Sequence, residues 1–301
     1  MKRWAIGSIA FFATFGFFAS ASRVTRVGPN LPATPAEQTT VPISPFSFED
    51  SVKPEVLEVI DDKTVSPDKF SCQILETGQH FHADQIAAKS GETWLGVFNE
   101  NGNFSVRPAK LKVDRVPDEV LHGPGSSNKG KLTGKSVSVS DATEPLFLVK
   151  NSDRIHRGPL TTLFVGEREN WKSGSTNPTY LDKNFNQSYE LGGKTYELKV
   201  VKAQNIHGDP ILALLLEGDG KRQLLHTLWT RGEGEYGERH LLGSVGTLYW
   251  AGDIDRDNKP DFYLSLYAHE TIYEAYLLLS SEADDGDLVK KAALFSTSGC
   301  G

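Results

Sequence analysis

Three short turn signals constrain this chain more than anything else in it. Asn101-Gly102, Gly192-Gly193 and the run Gly218-Asp219-Gly220 each accept positive φ, and each interrupts a stretch of alternating apolar residues. That combination closes tight antiparallel hairpins. Residues 94–98 and 104–106 flank the first signal. Tyr189 and Leu191 meet Tyr196, Leu198 and Val200 across the second, and residues 211–216 and 224–228 flank the third. Leu111 and Val113 alternate with Lys110, Lys112 and Asp114, the period of a half-buried strand. Short apolar runs recur at residues 137–139, 146–149, 248–250, 262–267, 276–279 and 289–295. Helical periodicity is confined to residues 84–89 and 117–121, and no internal repeat of fixed period occurs.

The fold is therefore expected to be mainly β, with antiparallel sheets in a sandwich or meander. Two β subdomains are expected, residues 67–158 and 159–301. Residues 123–134, rich in Gly, Ser and Lys, are expected to form a long exposed loop.

The N-terminus argues for export. Lys2 and Arg3 precede an apolar run over residues 4–18, and Ala19, Ser20 and Ala21 supply the small-x-small pattern of a cleavage site. Residues 1–21 are thus expected to be a signal peptide, since the apolar run falls short of the roughly twenty residues that cross a bilayer. A secreted or periplasmic protein follows, with no membrane segment after cleavage. Residues 22–66 carry six prolines among many Thr, Ser and Glu, and are expected to form a flexible leader.

Charge narrows the partners. Without Lys2 and Arg3, 30 basic residues stand against 39 acidic ones. Such a balance repels phosphate backbones and excludes nucleic acid as a natural partner. Only Cys72 and Cys300 are present. In an oxidising compartment their parity suggests a disulfide, which in the chain-entropy picture would stabilise by roughly 5 kcal/mol.

Residues 252–262 carry the sharpest chemistry. They read Gly-Asp-Ile-Asp-Arg-Asp-Asn-Lys-Pro-Asp-Phe and place Asp253, Asp255, Asp257 and Asp261 at positions 1, 3, 5 and 9 of a loop. Alternate residues of a curled loop aim their carboxylates at a common centre, and carboxylates so crowded repel one another unless a cation neutralises them. Calcium takes six to eight hard oxygen ligands at pliant geometry, whereas zinc prefers His or Cys. Lys259 is expected to add its backbone carbonyl, and Asn258 to take the positive φ that glycine usually supplies at position 6.

This stretch resembles the calcium loop of the FG-GAP family of integrin-like and VCBS-type repeats, Gly-Asp-x-Asp-x-Asp-Gly-x-x-Asp before an apolar strand. The resemblance implies a calcium ion held by Asp253, Asp255, Asp257, Lys259 through its carbonyl, and Asp261, joining neighbouring strands. The family's propellers need at least four blades and the loop occurs once here, so a sandwich or meander is expected instead of a propeller. Residues 248–300 also resemble the end of uncharacterised exported bacterial proteins that carry one such loop and a terminal Gly-Cys.

Other constellations are weaker. His80-Phe-His82-Ala-Asp84 shares the start of the His-x-His-x-Asp-His motif of metallo-β-lactamase-fold hydrolases, but Gln85 stands where that motif continues with histidine. His269, Glu270 and Glu274 follow the loop strand. Trp94, Trp171, Trp229 and Trp250 are either a glycan platform or core. No nucleophile elbow, phosphate loop or dinucleotide fingerprint occurs. The expected role is a calcium-stabilised exported protein that binds or scaffolds a protein or glycan ligand. The alternative is an exported hydrolase using a His/carboxylate or metal site.

Overall fold

The computed structural model describes residues 55–57, 69–78, 80–118, 131–166, 179–229, 244–266 and 272–298. All belong to one compact unit running from Val52 to Gly301. The chain is mainly β, and no α-helix occurs among the described residues. Among the described residues the first nine strands are β1 (Glu55–Val56), β2 (Gln73–Leu75), β3 (His80–His82), β4 (Thr93–Glu100), β5 (Asn103–Val116), β6 (Gly134–Val139), β7 (Phe147–Lys150), β8 (Gly158–Pro159) and β9 (Thr161–Val165). The remaining nine are β10 (Thr179–Asp182), β11 (Asn186–Leu191), β12 (Lys194–Gln204), β13 (Pro210–Gly218), β14 (Lys221–Trp229), β15 (Ser244–Asp253), β16 (Asp261–Leu266), β17 (Ile272–Leu279) and β18 (Lys290–Ser298).

Three curled sheets result. A five-stranded sheet runs β1-β12-β13-β14 with β11 also on β12; a six-stranded sheet runs β10-β15-β16-β17-β18 with β9 also on β15. A seven-stranded sheet runs β2-β7-β4-β5-β6-β3 with β8 also on β5. Every pairing among the described residues is antiparallel except that of β1 with β12. Among the described residues none of the sheets closes into a barrel, and no propeller is formed.

The six-stranded sheet is the middle layer, because both of its faces are apolar. Trp250, Tyr263, Ala275, Leu277 and Phe295 join one core with Val97, Phe98, Leu111 and Phe147 of the seven-stranded sheet. Ala251, Phe262, Leu264, Tyr276 and Leu278 join a second core with Leu198, Leu212, Leu214 and Leu216 of the five-stranded sheet. Successive residues of β16 and β17 thus point into opposite cores, so these strands read as near-continuous apolar runs. A bulge between Leu248 and Trp250 keeps this arrangement in step, placing both Tyr249 and Trp250 against the first core. Residues on both sides of the expected boundary at 158/159 contribute to that core, and the boundary itself falls within β8.

All three expected hairpins are present. Asn101 (φ 53°) and Gly102 (φ 87°) close β4 onto β5, Gly192 (59°) and Gly193 (74°) close β11 onto β12, and Asp219 (51°) and Gly220 (72°) close β13 onto β14. Two consecutive residues at positive φ are the type I′ geometry that matches strand twist.

Other expectations need correction. Residues 84–89 are not helical: a turn gives way to irregular chain in which Ile86 and Ala88 are buried and Ala87 is exposed, a period of two. Strand β5 continues from residue 103 to 116 through Pro108, joining two runs that the sequence separates. Leu111 donates its N–H to Glu92 on the β4 side, while the Phe104 and Lys110 carbonyls accept on the other side. Pro108 shares the parity of Phe104 and Lys110, so its missing N–H faces the gap between β8 and β6 and removes no ladder bond. Within the expected leader, residues 55–57 are docked, with Leu57 donating its N–H to the Gln204 carbonyl at 2.7 Å. The expected signal peptide and most of the Gly-rich loop lie outside the described residues.

No disulfide occurs among the described residues. Cys72 is a buried free thiol whose N–H donates to the Ala292 carbonyl at 3.1 Å. Cys300 itself lies outside the described residues.

Candidate metal centre

The aspartate loop is the connection between β15 and β16. Gly252 stands opposite Asp261 in the ladder, so the two strands deliver Asp253 and Asp261 side by side at the loop's base. Gly252 has no room for a side chain: a Cβ there would lie 2.4 Å from the Thr161 carbonyl oxygen and 2.2 Å from the Trp250 ring. Ile254 is buried in the first core and pins the loop from inside. Arg256 (φ 64°) and Asn258 (φ 62°) take left-handed conformations that curl the chain. The expectation for Asn258 holds, and Arg256 adds a second such turn.

Asp253, Asp255 and Asp261 each bring one carboxylate oxygen within 4.8 Å of the others. Asp261 is fully buried, Asp253 nearly so and Asp255 half-buried. Backbone amides hold the carboxylates in place. Asp261 Oδ2 accepts from Ile254 N–H at 2.8 Å and its Oδ1 from Ser280 N–H at 2.8 Å. Asp253 accepts from Asp257 N–H at 3.0 Å and from Asn258 N–H at 3.1 Å. Asp255 accepts from Asp257 N–H at 3.3 Å and from the Ser281 hydroxyl.

Asp257, a fourth expected ligand, stands beside this trio. Asp257 Oδ1 accepts from Lys259 N–H at 2.9 Å, with Ser280 Oγ 3.0 Å away. The Lys259 ammonium lies outward, 3.8 Å from Asp257 Oδ2.

Electrostatics disfavour three bare carboxylates here. Burial raises the pKa of Asp253, and the neighbouring Asp255 and Asp257 charges push the same way. Burial likewise raises Asp255, with Asp257 adding to it. Asp261 is raised well above the ordinary range, by burial first and then by the Asp255 charge. Among the described residues no lysine or arginine forms an ion pair with any of the three. A carboxylate has about four lone-pair sites, so the donors present leave room on each for a cation. An all-oxygen set of this kind fits a hard divalent ion.

No protein-family model, curated protein or solved structure matches this chain.

Ser280 and Ser281 are the participants that sequence reasoning missed. They form a 3-10 turn (Ser280–Glu282) directly after β17 and reach the loop only because β17 pairs with β16. Nineteen residues separate Ser280 from Asp261, and no local signal links them.

The remaining candidates are scattered. His80 is exposed, Phe81 is buried, and His82 Nδ1 pairs with the buried carboxylate of Asp118. Asp84 is exposed and joins neither. Glu274 accepts from the Tyr276 hydroxyl, while His269 and Glu270 lie outside the described residues. Trp94 and Trp250 are core, the latter donating its Nε1–H to Thr162 Oγ1 at 3.2 Å. Trp171 and the side chain of Trp229 lie outside the described residues.

Proposed function

We propose that this chain is an exported β protein whose aspartate loop holds a calcium ion, and that it binds or scaffolds a protein or glycan without catalysis of its own. The convergence of Asp253, Asp255 and Asp261 within 4.8 Å carries the reading. Buried carboxylates at that spacing are stabilised when a divalent charge sits among them. Asp257 and the Lys259 carbonyl would complete the oxygen shell, as in the FG-GAP loops that this segment resembles. Carboxylate number and loop pliancy favour calcium over magnesium, which demands near-ideal octahedral geometry. Export rests on the charged, apolar and small-residue pattern of residues 1–21.

The deciding experiment is a calorimetric titration of metal-free protein, with calcium in one arm and magnesium in the other. One calcium site with Kd of about 10⁻⁴ M or tighter is expected. At millimolar calcium this adds roughly 1.4 kcal/mol or more, and raises Tm by roughly 3–5 °C. No binding heat and an unmoved Tm would end the proposal.

The His82–Asp118 pair favours a hydrolase as the second reading, because a carboxylate-oriented imidazole is the usual general base. Hydrolysis of ester or glycoside probes that disappears in His82→Ala would establish it.

A further inference from the structure

Arg256 occupies an expensive position. At φ 64° a side chain is strained where glycine or asparagine would not be, by roughly 1–2 kcal/mol. The long side chain leaves the aspartates entirely. Its Nη2 donates to the His156 carbonyl at 3.1 Å. It also lies over Gly158, where a Cβ would come within 2.7 Å of Nη2. Gly158 opens β8, whose partner is β5 of the seven-stranded sheet, and Thr161 opens β9, whose partner is β15 of the middle sheet. The guanidinium therefore grips the crossover by which the chain leaves one sheet and enters the next.

The backbone of Arg256 is in turn fixed by the candidate centre. The two amides that follow it, those of Asp257 and Asn258, both donate to the Asp253 carboxylate. Turning Asp253 away would release the Asn258 amide, leave that of Asp257 only its longer bond to Asp255, and so loosen the direction of Arg256. Asp253 is also one of three carboxylates crowded within 4.8 Å, so its orientation depends on whether their charges are neutralised.

We propose that Arg256 makes the aspartate loop a cation-operated clamp: a filled loop aims the guanidinium at His156 and Gly158 and locks the crossover over residues 151–160, and an empty loop releases it. This rests on the cation reading given above. Stability in such a protein is graded by calcium at one particular place, and a partner that contacts the crossover would meet a calcium-dependent surface.

Arg256→Gly separates the two claims, because glycine takes φ 64° without strain and keeps the loop while removing the arm. Calcium affinity by calorimetry and hydrogen exchange of a peptide covering residues 151–160 are read on full-length wild type and variant, each with and without calcium. Calcium is expected to slow exchange in the wild type by about tenfold, the factor contributed by one hydrogen bond to a charged group. In Arg256→Gly calcium should still bind, but exchange at 151–160 should stay fast. Arg256→Lys, which keeps the charge without the guanidinium fork, should recover only part of the protection. Equal protection in wild type and Arg256→Gly, or none in a wild type that binds calcium, overturns the clamp and leaves the cation reading standing. Absence of calcium binding in the wild type overturns both.

Discussion

Ser280 Oγ lies 2.9 Å from Asp261 Oδ1, and the same oxygen lies 3.0 Å from Asp257 Oδ1. A hydroxyl has one hydrogen and cannot donate to two carboxylates at once. Either the second contact sets lone pairs against each other, or one carboxyl carries a proton. Burial pushes the Asp261 carboxyl well above the ordinary aspartate range. Ser280→Ala removes a buried hydroxyl that bridges both acids. We expect a loss of roughly 1–3 kcal/mol and a Tm lower by roughly 3–8 °C in metal-free protein. Calorimetric melting of the variant tests this, and a Tm within error of wild type contradicts it.

The same protonation gives the metal-free protein an unusual pH profile. Asp253, Asp255 and Asp261 all have folded values above the ordinary 3.8 of aspartate. The folded state therefore holds protons that the unfolded chain has released. The stability this contributes is complete below the unfolded value and is lost as pH rises through the raised folded values. Without metal, Tm should increase as pH is lowered from neutral toward the ordinary aspartate range. Calcium should reverse the trend by competing with those protons, and its stabilising effect should shrink with acidity. Melting curves with and without calcium across that range should converge at the acid end; curves that remain parallel would refute the account.

Gly192 and Gly193 form a matched pair for testing how the neighbouring hairpin supports the loop. Both have positive φ, at 59° and 74°. A Cβ on Gly192 would lie 2.7 Å from the Asn258 carbonyl oxygen, whereas one on Gly193 would meet nothing within 4 Å. Gly193→Ala should cost only the backbone strain, roughly 1 kcal/mol. Gly192→Ala should cost more, by roughly 1–3 kcal/mol from the added overlap, and should also weaken calcium binding. Denaturant melts and a calcium titration of both variants check this; equal effects would show that the hairpin does not buttress the loop.

Cys72 should behave as a silent thiol. Burial pushes its pKa up to about 12, with the Glu282 charge adding to the effect, so almost no thiolate exists at neutral pH. It should resist alkylation until the protein unfolds. Reduction should leave the intact mass unchanged, and a gain of two hydrogens would show a disulfide.

Much of the fold is legible in the chain itself, because its strongest signals are local. Positive-φ pairs at Asn101-Gly102, Gly192-Gly193 and Asp219-Gly220 close hairpins whatever packs around them. The tight alternation of aspartates likewise forces Asp253 and Asp255 toward one centre. Illegible were the features set by partners distant in sequence. Residues 104–106 and 111–113 read as separate runs, yet β5 joins them through Pro108, whose side of the strand has a gap between two partners. Residues 84–89 read as weakly helical, yet burial alternates at Ile86 and Ala88.

Sequence alone determined the β class, the hairpin turns and the crowding of carboxylates, since each follows from φ preference, side-chain alternation or spacing within a few residues. Tertiary structure alone decided that the six-stranded sheet lies in the middle, that Ser280 and Ser281 cap the aspartates, that Arg256 reaches the crossover, and that Cys72 sits beside Ala292. Those relationships depend on which strands become neighbours. Strand pairing brings together residues tens or hundreds of positions apart, and short-range preference carries no record of it.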